Sequence, residues 1–356
     1  MHPLALFAIM TSHPPYCLLL ALAVLLGSCA ASRGNVYPLG RGYLKESDLL
    51  PKLQGIAAAD PGLAGLHIIG FSGTENLPIY GLYIGSPQPA RKVLMIGQHH
   101  GDEVLGLELV LEWAQRLAAK SGSDRRIRAI LESCGFWIVP TLNPEAYRVV
   151  SSGAYQFKRK TNRDTDGNGV LDLRTDGVDL NRNYPVFWDE DPVTSVTNPN
   201  YKGTAPASEA EVQAILALAQ RNRFDLALFF HSSASGAYSE KIFLPAIDPA
   251  NGKQKARQEA LVALLAPYAA DLKRDYARGH YALGTQFSSR VGNARNYFFH
   301  LHGCDAFLVE IGGIKKEGVS VIHPPDAKKR EITAMHLKAL RNFFYGYGLK
   351  AGKGDQ

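Results

Sequence analysis

The chain has 356 residues, 46% of them hydrophobic and 20% charged, with 39 Lys and Arg against 33 Asp and Glu for a formal charge of +6. That balance excludes an intrinsically disordered chain, which would be poorer in apolar residues. With no long basic run and no nucleic-acid motif, it also points away from DNA or RNA as a partner. Four cysteines are too few for a disulfide framework, and the length allows a large core without such staples.

Residues 1–28 contain no Asp, Glu, Lys or Arg. The apolar run Cys17–Leu26 is shorter than the roughly 20 residues a spanning helix needs. Followed by Gly27, Ser28 and Cys29, it reads as a signal peptide, and the small pair before Cys29 resembles a bacterial lipobox, whose cysteine is lipidated. The start departs from the pattern in lacking Lys and Arg; Met10 is an alternative first residue, although Thr11–Tyr16 is uncharged too. The expectation is export across the cytoplasmic membrane to the periplasm, with a lipid anchor at Cys29 that does not span the bilayer. Residues 29–61 read as an N-terminal tether, 62–350 as one folded domain and 351–356 as a tail.

Beyond the leader, strand and helix patterns alternate. Leu66–Phe71 and Ile79–Ile84 read as paired strands around a turn. Val93–Gly97, Phe136–Pro140, Leu226–Phe230 and Ala306–Ile311 are continuous apolar runs that suit buried central strands. Helical spacing predicts Glu103–Ala119, then Ser208–Gln220 opened by a Ser208/Glu211 capping box. It further predicts Ala256–Ala277, broken or kinked at Pro267, and Asp326–Tyr345 capped by Asp326. This order argues an α/β fold: a single domain with a central mixed, mostly parallel sheet flanked by helices. The long irregular segment Tyr155–Tyr201 is of a kind that usually carries function. Cys134 and Cys304 each open an apolar strand; a disulfide between them and two buried thiols are equal alternatives.

Three polar features stand at the ends of apolar strands, where ligands bind in open α/β sheets. They are His100-Gly101-Asp102-Glu103, His231 and Glu310. An H-x-x-E turn lets an imidazole and a carboxylate face one point, and a histidine from another strand completes a three-ligand zinc site with an open position. A Glu inside an apolar strand is informative because an unpaired buried carboxylate is unfavourable; Glu310 suits a general base. An overlapping His99/Asp102 pair and a core role for His231 are alternatives at this stage.

Taken in order, the motifs across Gly70–Gly312 resemble zinc metallocarboxypeptidases of the carboxypeptidase A type. They are Gly70-Phe71-Ser72 to Ile79-Tyr80, the His100–Glu103 turn, Thr141-Leu142-Asn143-Pro144-Glu145, Arg159-Lys160-Thr161, the string Gly177–Pro185, Tyr201–Gln213, His231-Ser232 and Phe307–Gly312. The Gly177–Pro185 string (GVDLNRNYP) is the most specific of them. The resemblance implies a zinc carboxypeptidase-like fold and one zinc ion on His100, Glu103 and His231. It further implies Glu310 as general base, Arg159 at the oxyanion, and Asn181 and Arg182 on the substrate's terminal carboxylate. Asp102 fills a slot where the family often has arginine, and the family's closing tyrosine has no counterpart in Thr285–Ser289, leaving Tyr281 or Tyr297 as substitutes. Asn293–Tyr297 resembles the part that shapes the side-chain pocket, where Arg295 would favour a second carboxylate on the substrate.

Asp164, Asp166, Asn168 and Asp172 follow the oxygen-ligand spacing of a calcium loop, without its final glutamate. The expected substrate is a peptide, cleaved by a monomeric enzyme. The alternatives are a cell-wall amidase of the same family cutting beside diaminopimelate, and a zinc deacylase of the aspartoacylase or succinylglutamate desuccinylase type.

Overall fold

The computed structural model describes residues 39–233, 235–284, 288–313, 315 and 321–351. The leader at 1–28, the lipidation candidate Cys29, the tail at 352–356 and Thr285, Gln286 and Phe287 lie outside the described residues. No described helix is long and apolar enough to cross a membrane.

Among the described residues the centre is an eight-stranded sheet. Its strands are β1 (Ala64–Phe71), β2 (Pro78–Ile84), β3 (Arg91–Ile96), β4 (Cys134–Val139), β5 (Leu226–His231), β6 (Lys241–Phe243), β7 (Ala282–Gly284) and β8 (Asp305–Glu310), ordered β1-β2-β4-β3-β5-β8-β6-β7. The four middle strands β4, β3, β5 and β8 are parallel, while β1 and β2 pair antiparallel at one edge and β6 runs antiparallel to β8. This is the mixed, mostly parallel sheet the apolar runs predict.

The period-two alternation of these strands feeds two cores. Val93, Met95, Leu228, Phe230, Phe307 and Val309 face one layer, and Leu94, Ile96, Ala227, Phe229, Ala306 and Leu308 face the other. The first layer is covered by α1 (Glu46–Ala59), α2 (Val104–Lys120), α3 (Arg125–Ser133), α6 (Gly252–Asp271) and α8 (Asp326–Ala351). The second is covered by α5 (Ala210–Arg221) and α7 (Ala294–Leu301); α4 (Pro144–Ser152) follows β4. Both faces of the parallel strands are therefore buried, which explains their lack of polar alternation.

Several expectations need correction. The segment read as a tether contributes α1, whose Leu49, Leu53 and Ile56 are buried in the first core. The capping box is not formed: Ser208 Oγ donates to Glu209 Oε1 and accepts from Asn183, while Glu211 accepts the Gly73 amide, so α5 starts at Ala210 without a side-chain cap. Helix α6 runs through Pro267 and stops at Asp271. Asp326 is the first residue of α8, and its carboxylate accepts the Gly42 amide. Of the two equal alternatives for Cys134 and Cys304, the structure has the buried free thiols. They sit by β4 and β8, three strand spacings of about 4.8 Å apart, beyond disulfide reach.

Candidate metal centre and active site

The site lies where β3, β5 and β8, adjacent parallel strands, end. His231 closes β5 and pairs in register with Glu310, the last residue of β8. His100 and Glu103 stand on the turn that leads from β3 into α2. Hydrogen bonds from three directions hold that turn: Gly101 N donates to Arg159 O, Gln98 Nε2 to Gly101 O, and Asn143 Nδ2 to His99 O. Asn143 also caps α4 through its Oδ1, which explains the Asn-Pro pair at that strand end. Gly101 is required by space, since a Cβ there would stand 2.6 Å from Lys158 O and meet Ala146 as well.

Glu103 occupies the N-cap position of α2, yet its side chain makes no cap bond. Its carboxylate turns into the site instead. Oε1 is 2.9 Å from His100 Nδ1 and Oε2 is 2.8 Å from His231 Nδ1, and the two Nδ1 atoms are 3.1 Å apart. All three side chains are buried, and one ligand atom from each lies within 4.8 Å of the others. Two neutral imidazole nitrogens and a carboxylate oxygen are the donor set of a catalytic zinc, so the residues present fit the ion. The competing pair is not assembled. His99 Nε2 is 3.1 Å from the Tyr184 hydroxyl, and the His99 ring stacks on His231. Asp102 is buried with Oδ1 unpartnered, outside the metal cluster.

Behind the ligands stands Asp179, a residue given no role by sequence reasoning. Its Oδ1 is 2.9 Å from His100 Nε2, and its Oδ2 accepts from Arg159 Nη2 at 2.7 Å. The chemical signal was available: a histidine ligand needs an acceptor on its second nitrogen, and an aspartate sits in the Gly177–Pro185 string. Burial opposes ionisation of Asp179, but Arg159, His100 and Arg182 hold its carboxyl well below the usual range. Burial and the Arg159 charge work against a proton on His100, yet Glu103 and Asp179 raise it to about 9. Burial pushes His231 down to about 4 against the pull of Glu103.

Arg159 Nη1 donates to Glu103 Oε1 at 3.0 Å, so its guanidinium braces both a ligand and Asp179. Glu310 projects from β8, and its Oε2 is buried with no hydrogen-bond partner among the described residues. Burial, then the Glu103 charge, pushes it up to about 8, against His100, Arg159 and Arg295. Asn181 sits in a 3-10 turn, Leu180–Arg182; its Nδ2 is 3.4 Å from His231 Nε2 and its Oδ1 accepts from Ala294 N. Arg182 is partly exposed; its Nη1 donates to the neighbouring Asn181 carbonyl, and its Nε lies 3.9 Å from Asp191 Oδ2. Arg295 is buried in the first turn of α7.

The tyrosine substitutes are placed elsewhere. Tyr297 is buried with its hydroxyl 2.8 Å from His302 Nε2, so its hydroxyl is engaged within α7 and its flank. Tyr281 belongs to the opposite core, its hydroxyl on His336. The calcium set is not assembled either. Asn168 Oδ1 accepts the Val170 amide and Asp172 Oδ1 the Arg174 amide. Asp176, not Asp172, approaches Asp164 and Asp166, and its carboxylate already accepts the Thr165 and Asp172 amides. Calcium therefore has no support.

Comparison with known proteins agrees with this geometry. A family model described as zinc carboxypeptidase matches residues 50–333. The chain is 29% identical to mast cell carboxypeptidase A of Mus musculus over 180 residues, covering 49% of this chain and 40% of that one. It is 30% identical to the carboxypeptidase N catalytic chain of Rattus norvegicus over 156 residues, covering 42% and 32%. The chain thus spans less than half the length of these curated relatives. In fold it is similar to carboxypeptidase A from Helicoverpa armigera, with a TM-score of 0.69 at 17% identity over 95% of this chain and 81% of that one. It is also similar to bovine thrombin-activatable fibrinolysis inhibitor in complex with tick carboxypeptidase inhibitor, with a TM-score of 0.68 at 20% identity over 86% and 98%.

Proposed function

The chain belongs to the zinc carboxypeptidase family, and from that premise we propose that it is a zinc-dependent carboxypeptidase removing C-terminal residues from peptides. The observation that carries this reading is the convergence of His100, Glu103 and His231 beside the carboxylate of Glu310, whose Oε2 has no hydrogen-bond partner among the described residues. Zinc held by those three residues would supply a hydrolytic nucleophile at neutral pH and Lewis-acid polarisation of a carbonyl.

The chain's own groups do the rest. Asp179 fixes the His100 ring through Nε2, so that Nδ1 points into the site. Glu310, raised toward neutrality by burial, takes the proton of the attacking water and delivers it to the leaving nitrogen. Arg159 stands with its guanidinium on Glu103, where it can meet the negative charge that develops on the carbonyl oxygen. Arg182 receives the free carboxylate of the substrate, and Asn181 positions that arginine and His231 together. We propose, from the leader pattern alone, that this chemistry takes place outside the cytoplasmic membrane.

The test is mass spectrometry of a C-terminal peptide library treated with the zinc-loaded full chain. Stepwise loss of single C-terminal residues is expected. It should disappear on chelation, and Glu310→Gln should slow it by about 100- to 10,000-fold with zinc content unchanged. Absence of C-terminal shortening, or shortening indifferent to chelation, would overturn the reading.

A further inference from the structure

His99 precedes a metal ligand in the chain, is fully buried and takes no part in the hydrolysis described above. Its surroundings are those of a core side chain. Phe229 meets the ring edge-on with centroids 5.8 Å apart, and Phe229 and Tyr184 are as completely buried as His99 itself. A leucine or a phenylalanine would fill such a position without polar atoms. The imidazole instead leaves Nδ1 buried with no hydrogen-bond partner among the described residues, which is unfavourable. A buried polar atom tolerated beside a reactive centre calls for an explanation.

The explanation lies in a difference between the two histidine ligands. His100 is fixed by charge at its edge, with Nε2 at 2.9 Å from Asp179 Oδ1. His231 has no comparable acceptor. When Nδ1 serves as a ligand, a neutral imidazole carries its proton on Nε2, and that proton needs an acceptor. The group at hydrogen-bonding distance from His231 Nε2 is Asn181 Nδ2, at 3.4 Å. It is a donor, because Asn181 Oδ1 already accepts the Ala294 amide. Two donors face to face cannot fix a ring. What His231 does have is a stacking partner: the His99 ring lies over it with centroids 5.3 Å apart and planes inclined by 16°, an arrangement aromatic pairs favour. His99 is itself held from several sides. The Tyr184 hydroxyl stands 3.1 Å from its Nε2, Phe229 packs on its ring, and Asn143 Nδ2 donates to its carbonyl. Tyr184 is secured in turn by its amide on Gly292 O and by its ring beside Tyr297.

We propose that His99, locked in place by Tyr184, is a positioning residue that sets the ring plane of His231. This rests on the reading of His100, Glu103 and His231 as the zinc ligands of a carboxypeptidase. One ligand histidine is then oriented at its edge by a carboxylate and the other across its face by a second imidazole. Leucine at position 99 would lack the flat face. Phenylalanine would have the face but not the Nε2 contact with Tyr184 that stops the ring from turning. His99 supplies no donor to the metal cluster, so its effect passes through His231 alone.

The experiment compares the full-length wild type with His99→Leu, His99→Phe, Tyr184→Phe and the double variant His99→Phe/Tyr184→Phe. Zinc affinity is read by competition against a chromogenic chelator, the visible spectrum is recorded with cobalt(II) in place of zinc, and kcat and KM are measured on peptides. His99→Leu keeps the bulk and loses the flat face. It should bind zinc about 10- to 100-fold more weakly, shift the cobalt bands and lower kcat with KM unchanged. His99→Phe keeps the face and loses the contact with Tyr184. It should lose about 2- to 10-fold in affinity and retain the wild-type cobalt bands. Tyr184→Phe should match it, and the double variant should be no worse than either single change, because each removes the same hydrogen bond. If His99→Leu equals the wild type in zinc affinity or in cobalt bands, or if His99→Phe and His99→Leu lose affinity equally, the inference falls and the carboxypeptidase reading stands. If no peptide is cleaved but affinity and spectrum follow the expected order, the positioning of His231 stands and the hydrolytic reading falls. If the wild type binds neither zinc nor cobalt(II), both fall. Should His99→Leu fail to fold, the two phenylalanine variants and their combination decide, and additive losses overturn the inference.

Discussion

Asp179 Oδ1 lies 2.9 Å from His100 Nε2 and makes that histidine a one-sided ligand, free to offer only Nδ1 to the centre of the site. The same carboxylate anchors Arg159 at 2.7 Å. Asp179→Asn keeps the shape but removes the charge that both partners use. Zinc affinity should fall by about 10- to 100-fold, read by competition against a chromogenic chelator. An unchanged affinity would remove Asp179 from the support of His100.

Gly101→Ala tests whether the ligand turn is set by backbone space. The added methyl would meet Lys158 O at 2.6 Å and the Ala146 side chain, neither of which is the end of a flexible chain. Destabilisation of about 1–3 kcal/mol is expected, together with weaker zinc binding because His100 must shift. Urea denaturation with and without zinc measures both.

Leu53→Ala asks whether α1 is part of the fold. Leu53 is fully buried against the first core, and its truncation should destabilise by about 2–5 kcal/mol. A tether would tolerate the change with no shift in the urea midpoint.

Glu211 predicts a pH dependence remote from the metal centre. Burial, and then the Glu145 and Glu209 charges, raise it to about 7 against the hydrogen bond from Gly73. Its Oε2 is buried without a partner. A carboxyl with a raised folded pKa contributes its stability below the unfolded value of about 4.5 and loses it as pH rises toward 7. The wild type should therefore lose stability over that window with a slope of up to about 1.4 kcal/mol per pH unit from this group. Glu211→Gln should flatten the loss; parallel melting curves at pH 5 and pH 7.5 for the two proteins decide it.

The central strands and the metal set were legible because chemistry sits where pattern changes. Each of Leu226–Phe230 and Ala306–Ile311 is a run of apolar residues interrupted at its end by a group that a core would reject unless it had work there. Helix α1 was hidden by Pro51 and Gly55, which interrupt a helical pattern that tertiary burial of Leu49, Leu53 and Ile56 nonetheless sustains. Three-residue strands such as β6 and β7 are too short to show a period. The capping box failed for a different reason: Glu209, Asn183 and Gly73, two of them remote in sequence, compete for the same side chains. Asp179 was visible as a letter but not as a partner, since its contact to His100 spans 79 positions.

His100, Glu103, His231 and Glu310 rise from or directly follow β3, β5 and β8, buried on both faces, whereas Arg182 comes from a 3-10 turn in the irregular segment between α4 and α5. Heredity can therefore rewrite the two at different rates. On the proposed function, replacing the partly exposed Arg182 is expected to alter what the protein accepts while leaving β3, β5 and β8 in place. Variants of this chain with an altered substrate should therefore differ at Arg182 before they differ in the buried strands.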